Sequence, residues 1–262
     1  MKRFLLIVNW ELDLNFLLHL KKRSNFFNKL SKTIKSYYFL GSKNKLKKFK
    51  ENDDLHNVIQ PSRESLLKNE FKYKGNWFSF FKNNNPIVLE LGCGKGEYSI
   101  NLAKKFPDKN FIGIDIKGAR LWHGAKNAIK YNLSNVVFLR AQIDLIENIF
   151  SNKEVDEIWI VFPDPQIKFN RTKHRLINQF YLNIYKNLIK DFGLIHLKTD
   201  SEFLHGYTLG LLEKNKTKIH FSHHDIYSNQ YSPSEATEIK THYEKIFLSK
   251  NKPISYIKFE FE

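Results

Sequence analysis

The stretch that decides the fold is Ile87–Gly96, which reads IVLELGCGKG. A short apolar run ends near a carboxylate, and three glycines follow at alternate positions. This pattern is typical of a buried parallel strand that turns sharply into a helix, where doubly wound α/β folds bind a nucleotide-like ligand. Glycine is needed where the backbone adopts a positive φ or approaches a ligand closely. The stretch therefore predicts an α/β fold with a ligand site at the end of this strand.

The spacing of the glycines restricts the ligand. A dinucleotide site has the pattern G-x-G-x-x-G and places a pyrophosphate at the helix N-terminus. Here the pattern is G-x-G-x-G, and Glu97 follows Gly96. Because a carboxylate there would repel a pyrophosphate, we expect a ligand that lacks phosphates or carries positive charge. A second apolar run, 110–114, ends at Asp115, about twenty residues on, where such folds place the acid that accepts ribose hydroxyls.

Composition indicates a globular protein with a polyanionic partner. The 262 residues are 42% hydrophobic and carry a formal net charge of +16, which favours nucleic acid as a partner. No apolar run approaches the ~18 residues that would span a membrane. The single cysteine, Cys93, excludes a disulfide within the chain and indicates the cytoplasm. We interpret it as a small residue that fills the tight turn.

Alternating strand and helix patterns predict a doubly wound, mostly parallel seven-stranded sheet. The predicted strands are 87–91, 110–114, 136–139, 157–162, 193–198, 218–222 and 254–261. The predicted helices are 97–106, 118–130, 144–150, 173–190 and 201–213, with a polar loop near 226–245. The predicted organisation is an N-terminal extension at 1–40, a basic arm and lead-in at 41–85, and an α/β domain at 86–262. Residues 1–50 carry 13 Lys or Arg and two acids, so the charge is concentrated in an arm.

Polar side chains follow the predicted parallel strands, where ligands bind in such sheets. They are Glu90, Asp115, Gln142, Asp164 and Asp200. Asp164 lies between two prolines that restrict its backbone. It is interpreted as a ligand-binding carboxylate, with a helix cap or an Asx-turn as the alternative. The basic run 168–175 follows it and favours phosphate contacts, although a solvated helix face would look similar.

Four segments together resemble the bacterial tRNA (guanine-N7)-methyltransferase family, over residues 41–262. The segments are Glu90–Gly96 with Asp115, Phe162–Pro165 with Lys168 and Arg171–Arg175, Lys198–Asp200, and Thr241–Glu244, which matches the family's T-x-[F/Y]-E element. Two positions depart from the family pattern. Gln142 stands where an acid or Asn is usual, and Gln166 stands where Trp is frequent, so a stacking role there is in doubt.

The resemblance implies a class I, Rossmann-like methyltransferase that uses S-adenosylmethionine to methylate a guanine of tRNA at position 46 in the variable loop. It implies a cofactor site made of Glu90, Gly92, Gly94, Gly96, Asp115, Gln142 and Asp164. It implies a guanine site made of Lys168, Asp200, Thr241, His242, Tyr243 and Glu244. Residues 1–40 look like an addition to the family's usual chain, either a start-site artefact or a real basic arm. A monomer or homodimer without an obligate protein partner is expected.

The chemistry of guanine N7 suggests the catalytic roles. N7 has an in-plane lone pair and no proton, so no general base is needed and positioning is the main task. Attack leaves the purine positive, and Asp200 with Asp164 is predicted to stabilise that charge. Glu244 is predicted to accept hydrogen bonds from guanine N1–H and the exocyclic amine. Basic residues 43–50 and 168–175 are predicted to hold phosphates.

Three alternatives remain at this stage. An NAD-dependent oxidoreductase is disfavoured by the glycine spacing, by Glu97 and by the absence of an evident catalytic pair. A non-catalytic RNA-binding module has little use for acids at strand ends. A methyltransferase of another RNA base or of a protein would typically show adjacent prolines and an aromatic residue where this chain has Pro163–Gln166. The histidines show no metal-ligand spacing.

Overall fold

The computed structural model of the protein describes residues 44–261. The strand that begins the glycine-rich stretch is a central strand of an eight-stranded sheet. The strands are β1 (Val58–Ile59), β2 (Ile87–Leu91), β3 (Asn110–Ile114), β4 (Val136–Leu139), β5 (Val155–Val161), β6 (Ile189–Thr199), β7 (Lys218–His223) and β8 (Ser255–Glu260). The α-helices are α1 (44–53), α2 (Arg63–Leu67), α3 (Phe78–Phe81), α4 (Glu97–Lys105), α5 (Gly118–Lys130), α6 (Gln179–Leu188), α7 (Glu202–Lys214), α8 (Ser234–Thr237) and α9 (His242–Leu248). Two 3₁₀-helices occupy Ile143–Asn148 and Phe169–His174.

The strand order is β1-β4-β3-β2-β5-β6-β8-β7, and every pairing is parallel except the two made by β8. The order reverses at β2, which pairs with β3 on one side and β5 on the other. Ligands bind at such reversal points, outside the carboxyl ends of the strands. The topology therefore brings the ends of β2, β3 and β5 to one edge of the sheet.

Helices cover both faces of the sheet, as the uninterrupted apolar strands predict. Leu89 and Leu91 of β2 belong to one apolar cluster, which includes residues of α6, and Val88 belongs to a second cluster, which includes residues of α4 and α5. Alternate side chains of a strand point to opposite faces, so the two clusters are the two halves of the core. The Glu90 side chain lies on the same face as Val88, as a buried acid in an otherwise apolar strand.

The predicted doubly wound, mostly parallel sheet is confirmed, and three strand predictions, 87–91, 110–114 and 136–139, match the observed bounds. The sheet has eight strands instead of the predicted seven. The additional strand is β1, whose two residues pair with Phe138 and Leu139 of β4. Part of the predicted lead-in at 41–85 thus belongs to the sheet, and a two-residue strand is too short to show alternation in a sequence.

Two helix predictions were wrong in detail. The predicted helix 173–190 is a 3₁₀-turn followed by α6, because Arg175 is extended and Asn178 begins the helix by accepting from the Tyr181 backbone N–H. The predicted 144–150 helix is also 3₁₀.

The predicted loop at 226–245 was wrong too, because it contains α8 and the start of α9. Thr241 and Glu244 form a capping box at α9, in which the side chain of each accepts the other's backbone N–H. T-x-x-E is the usual sequence signal for such a start, and it was interpreted only as a substrate element.

The chain divides into two units, 1–48 and 49–262, and the sheet belongs to the second. The predictions for residues 1–40 lie outside the described residues. Between residues 44 and 261, no helix combines the length and apolar character needed to cross a membrane.

Candidate functional site

The glycine loop follows β2, and each of its glycines has a positive φ: 76° at Gly92, 57° at Gly94 and 67° at Gly96. A Cβ at Gly96 would lie 2.2 Å from Cε1 of Phe138, so no side chain fits there. A Cβ at Gly94 would meet no atom within 4 Å. Gly96 is therefore required by packing, whereas Gly94 leaves open space at the position where a ligand would approach the backbone.

Asp115 ties the glycine loop to the end of β3. Its Oδ2 accepts from the Gly94 backbone N–H at 2.9 Å, and its Oδ1 accepts from the Lys117 N–H at 2.8 Å. A carboxylate offers about four acceptor positions, so this nearly buried group retains capacity for ligand hydroxyls. The predicted pairing of the loop with Asp115 in one site is thus what the geometry shows.

Glu90 is a buried carboxylate beneath the loop. Its Oε2 accepts from both the backbone N–H and the hydroxyl of Ser99. Burial, with smaller contributions from the nearby acids Asp115 and Glu97, raises the pKa of Glu90 to about 7, although the hydrogen bonds from Ser99 lower it. Such a group is more readily ionised when a positive ligand group lies near it.

A cavity of about 120 Å³ opens above these groups. Its lining combines the end of β2, the glycine loop, the start of α4, one residue of α5, the end of β5 and the first turn of α9 with its N-cap. The lining residues are Glu90, Gly92, Cys93, Gly94, Lys95, Glu97, Tyr98, Arg120, Val161, Phe162, Thr241, His242 and Tyr243. The backbone N–H of His242 donates to Glu97 Oε2 at 2.8 Å and so joins the α9 turn to α4. Three of the predicted guanine-site residues thus lie beside the predicted cofactor loop.

Asp164 is exposed, and its Oδ1 accepts from the Gln166 backbone N–H at 3.1 Å. This is the Asx-turn that the sequence left as the alternative interpretation. Phe162 and Gln166 have positive φ values of 49° and 46°, so the chain turns sharply on either side of the two prolines. Asp164 does not line the cavity, although Phe162 does.

The predicted residues Gln142, Asp200 and Lys168 do not line the cavity. Gln142 is exposed after β4 and accepts from the Arg63 guanidinium. Asp200 directly follows β6, is half-buried, and pairs with Lys252 at 3.4 Å. Lys168 is exposed and precedes the 3₁₀-helix Phe169–His174. The structure therefore brings Asp200 to the same sheet edge as the other acids, but on a neighbouring strand.

Glu244 points into the protein instead of into the cavity. It is fully buried, and its Oε1 lies 2.7 Å from the Lys198 ammonium and accepts from the Tyr227 hydroxyl at 2.7 Å. Its Oε2 accepts from the Thr241 backbone N–H at 3.2 Å. In this geometry Glu244 makes no direct contact with the cavity, and it holds the turn that lines it. Lys198 also donates to the Ile239 carbonyl at 3.0 Å.

Sequence reasoning missed several lining residues. Tyr98 is buried against the cavity and donates to the Glu235 carbonyl at 2.8 Å. Neither Tyr98 nor Arg120 belongs to a motif that would have marked it. Cys93 is buried in the glycine loop, and burial raises the pKa of its thiol well above the usual value, which disfavours the nucleophilic thiolate. Within residues 44–261, no group of three or more His, Cys, Asp or Glu side chains is placed to hold a metal ion.

Comparisons with known proteins identify the family of this chain. A family model described as "Putative methyltransferase" matches residues 84–257. A tRNA (guanine-N(7)-)-methyltransferase of Christiangramia forsetii is 63% identical over 84% of this chain and 99% of its own length. A protein of the same name from Porphyromonas gingivalis is 48% identical over 72% of this chain and 77% of its own length. The crystal structure of the 16S rRNA methyltransferase KamB has a TM-score of 0.55 at 12% identity, covering 72% of this chain and 93% of that one, and so supports the fold. The chain belongs to the tRNA (guanine-N7)-methyltransferase family.

Proposed function

We propose that this protein transfers the methyl group of S-adenosylmethionine to N7 of a guanine in tRNA, at position 46 of the variable loop as the family resemblance implies. The observation that carries the proposal is one cleft in which Glu90, the glycine loop and the Thr241–Tyr243 turn meet, in a chain 63% identical to a relative of that name.

The cleft fits S-adenosylmethionine better than it fits a phosphate-bearing cofactor. Two acids, Glu90 and Glu97, line the cavity together with the cations Lys95 and Arg120. Glu97 begins α4, where a pyrophosphate would otherwise bind, and Asp115 holds the loop. Gly94 leaves open space beside the backbone. Asp115 would hold the ribose hydroxyls, and the acids would favour the positively charged groups. When bound, S-adenosylmethionine supplies a methyl group on a sulfonium, which is already a strong electrophile.

The protein's own residues would position the guanine and accommodate its charge. N7 needs no deprotonation, so orientation is the main contribution, worth about 7–11 kcal/mol at best. Thr241, His242 and Tyr243 line the cavity, and they are proposed to contact the base. Asp200 and Asp164, which follow neighbouring strands, are proposed to stabilise the positive charge that develops on the purine. Gln142 and Lys168 are proposed to contact the cofactor and the tRNA respectively.

The charge distribution supports tRNA as the substrate. Lys168, Arg171 and Lys173 are exposed on the segment that follows the end of β5, and the whole chain carries +16. Lys and Arg side chains beside a cleft bind backbone phosphates without reading sequence. A cytoplasmic location and action as a monomer or homodimer are part of the proposal.

The cofactor role is tested by Asp115→Ala. Loss of hydrogen bonds to a charged group costs about 1.5–3 kcal/mol, so calorimetry should show S-adenosylmethionine binding about 10- to 100-fold more weakly, with tRNA affinity retained. Asp108→Ala is the matched control, because Asp108 is exposed in the turn before β3 and should bind the cofactor normally. Equal cofactor affinity in Asp115→Ala would refute the role.

The reaction is tested by incubating the wild-type protein with bulk tRNA and labelled S-adenosylmethionine, followed by aniline cleavage, which cuts at N7-methylguanine. Cleavage at one guanine of the variable loop is expected. Label that enters tRNA without creating an aniline-sensitive position would contradict N7 as the acceptor.

A further inference from the structure

One member of the basic run, Arg175, is buried and serves the loop that carries the run. Its side chain is 4% exposed. It donates to three consecutive backbone carbonyls, at 3.2 Å to Pro165, 2.9 Å to Gln166 and 3.3 Å to Ile167. The guanidinium also lies over the Tyr207 ring, 4.5 Å from its centroid. Arg175 therefore braces the loop 165–174 from inside, and the earlier prediction of a phosphate contact does not fit this residue.

The braced loop displays Phe169, which is 95% exposed and begins the 3₁₀-helix. The Thr172 hydroxyl donates to the Phe169 carbonyl at 2.7 Å, and the Arg171 N–H donates to the Lys168 carbonyl at 2.9 Å, so the backbone that carries the ring is fixed. An aromatic side chain so fully hydrated makes almost no contribution to the core. Its position on a held turn indicates a role in contacting another molecule.

The surroundings of Phe169 indicate which molecule. Lys168, Arg171 and Lys173 are exposed on the same short segment. A ring surrounded by cations suits a single-stranded nucleic acid, whose bases stack on aromatic side chains while its phosphates contact the cations. A protein partner would be expected to bury an apolar patch with few charges.

We propose that Phe169 stacks on an unpaired base of the tRNA, next to the guanine that is methylated. This inference rests on the proposed function and adds a specific RNA-contacting residue to it. A base that enters an enclosed site must leave its stack, and its neighbours then lose a stacking partner. Phe169 lies seven residues after Phe162, which lines the cavity, so the ring is carried on the segment that leaves the site. Because Arg175 braces the loop, little conformational freedom is lost on binding.

The test compares Phe169→Ala, Phe169→Tyr and a control, Phe192→Ala, for tRNA affinity across a series of salt concentrations. Phe192 is 83% exposed near the start of β6, at the far end of that strand from Thr199. Phe169→Ala should bind tRNA about 5- to 150-fold more weakly, the range expected for one lost base stack. Phe169→Tyr should stay within about threefold, since tyrosine also stacks, and Phe192→Ala should match the wild type.

The salt series separates stacking from charge. The plot of log affinity against log salt has a negative slope. Lys168→Ala should make that slope less steep by about 0.7–0.9 if it removes one phosphate contact, whereas Phe169→Ala should leave the slope unchanged. Phe169→Ala binding within twofold of the wild type, or Phe169→Tyr binding as weakly as Phe169→Ala, overturns the inference. If either result is found while the wild type methylates tRNA normally, only the stacking inference is wrong and the proposed function stands. If the wild type forms no N7-methylguanine, the proposed function itself is wrong.

Discussion

At the scale of single residues, the candidate site contains the carboxyl group of Glu90 in a buried position, where burial disfavours the charged form. Glu90 is buried in the central strand, and burial raises its pKa from 4.5 to about 7. A group whose pKa is higher in the folded than in the unfolded chain stabilises the fold below the unfolded pKa, and that stabilisation is lost as the pH rises through the folded value. In the free protein, buried Glu90 therefore lowers the free energy of unfolding at neutral pH. A bound cationic ligand would favour the ionised form of this carboxylate.

Glu90→Gln should remove this pH dependence. The wild type should lose on the order of 3 kcal/mol of unfolding free energy between pH 4.5 and pH 7, at 1.36 kcal/mol per pKa unit, relative to the variant. Wild-type affinity for S-adenosylmethionine should rise over the same range, because the donor favours ionised Glu90. The variant should bind it more weakly and with little pH dependence.

Urea unfolding and calorimetry at several pH values measure both quantities. Glu64→Gln serves as the control, because Glu64 is exposed on α2 and pairs with Lys68 in the next helical turn. Parallel stability curves for the wild type and Glu90→Gln would show that Glu90 does not titrate in this range.

The proximity of the glycine loop to Asp115 could be predicted from the sequence because the signals for both are local. Strand, carboxylate and glycines lie within ten residues, and Asp115 closes the next strand. Glu244 could not be placed in this way. Its orientation depends on Lys198, 46 residues earlier in the sequence, and no local pattern shows that a strand lysine will be fully buried against it.

At the scale of elements, the parallel strands were predicted well because each is a short apolar run bounded by turn residues. The connections after β5 and β7 were not, since their shape depends on tertiary contacts. Arg175 ends the 3₁₀-turn by binding carbonyls that precede it, and α9 begins where Glu97 of α4 accepts from His242. Both connections lie at the cavity, so the sequence was least informative where the substrate is expected to bind.

The α9 turn offers a test of what Glu244 does. Glu244→Gln keeps a capping-box side chain but leaves the Lys198 ammonium buried without its counter-charge. Lys198→Met leaves the opposite charge unpaired. Each single change should cost about 3–5 kcal/mol of unfolding free energy, and the double change should cost clearly less than the sum.

Methylation by the double variant then separates two roles. If Glu244 only holds the turn, the refolded double variant should still methylate guanine selectively. If Glu244 contacts the guanine directly, as the family resemblance implies, selectivity should be lost even where stability returns. Additive stability losses in unfolding experiments would show that Lys198 and Glu244 do not act as a pair.

At the scale of the whole molecule, the residues that line the cavity and many of the basic residues lie in different parts of the chain. The cavity is lined by residues between 90 and 243, whereas residues 1–40 carry eight basic and two acidic side chains. Removing residues 1–40 lowers the net charge from +16 to +10, so the remaining chain is still basic. The relative from Christiangramia forsetii aligns over 222 residues, which is 99% of its own length.

Deletion of residues 1–40 should therefore leave methylation of tRNA intact. In the proposed function the chemistry takes place in the cleft, and the deletion retains the exposed cations of 168–173 that are proposed to contact phosphates. Both the turnover number at saturating tRNA and the affinity for S-adenosylmethionine should equal those of the full chain. A full-length variant with all eight basic residues of 1–40 changed to Gln is the matched control, since it removes the charge without removing the segment.

The salt dependence of tRNA binding decides whether those basic residues contact the substrate. Each lost phosphate contact makes the negative slope of log affinity against log salt less steep by about 0.7–0.9. Equal slopes for the full chain, the deletion and the Gln variant would mean that residues 1–40 make no phosphate contact. A less steep slope in both altered proteins would show that residues 1–40 contact phosphates. An inactive deletion with normal cofactor affinity would show that residues 1–40 are needed for tRNA to reach the cleft.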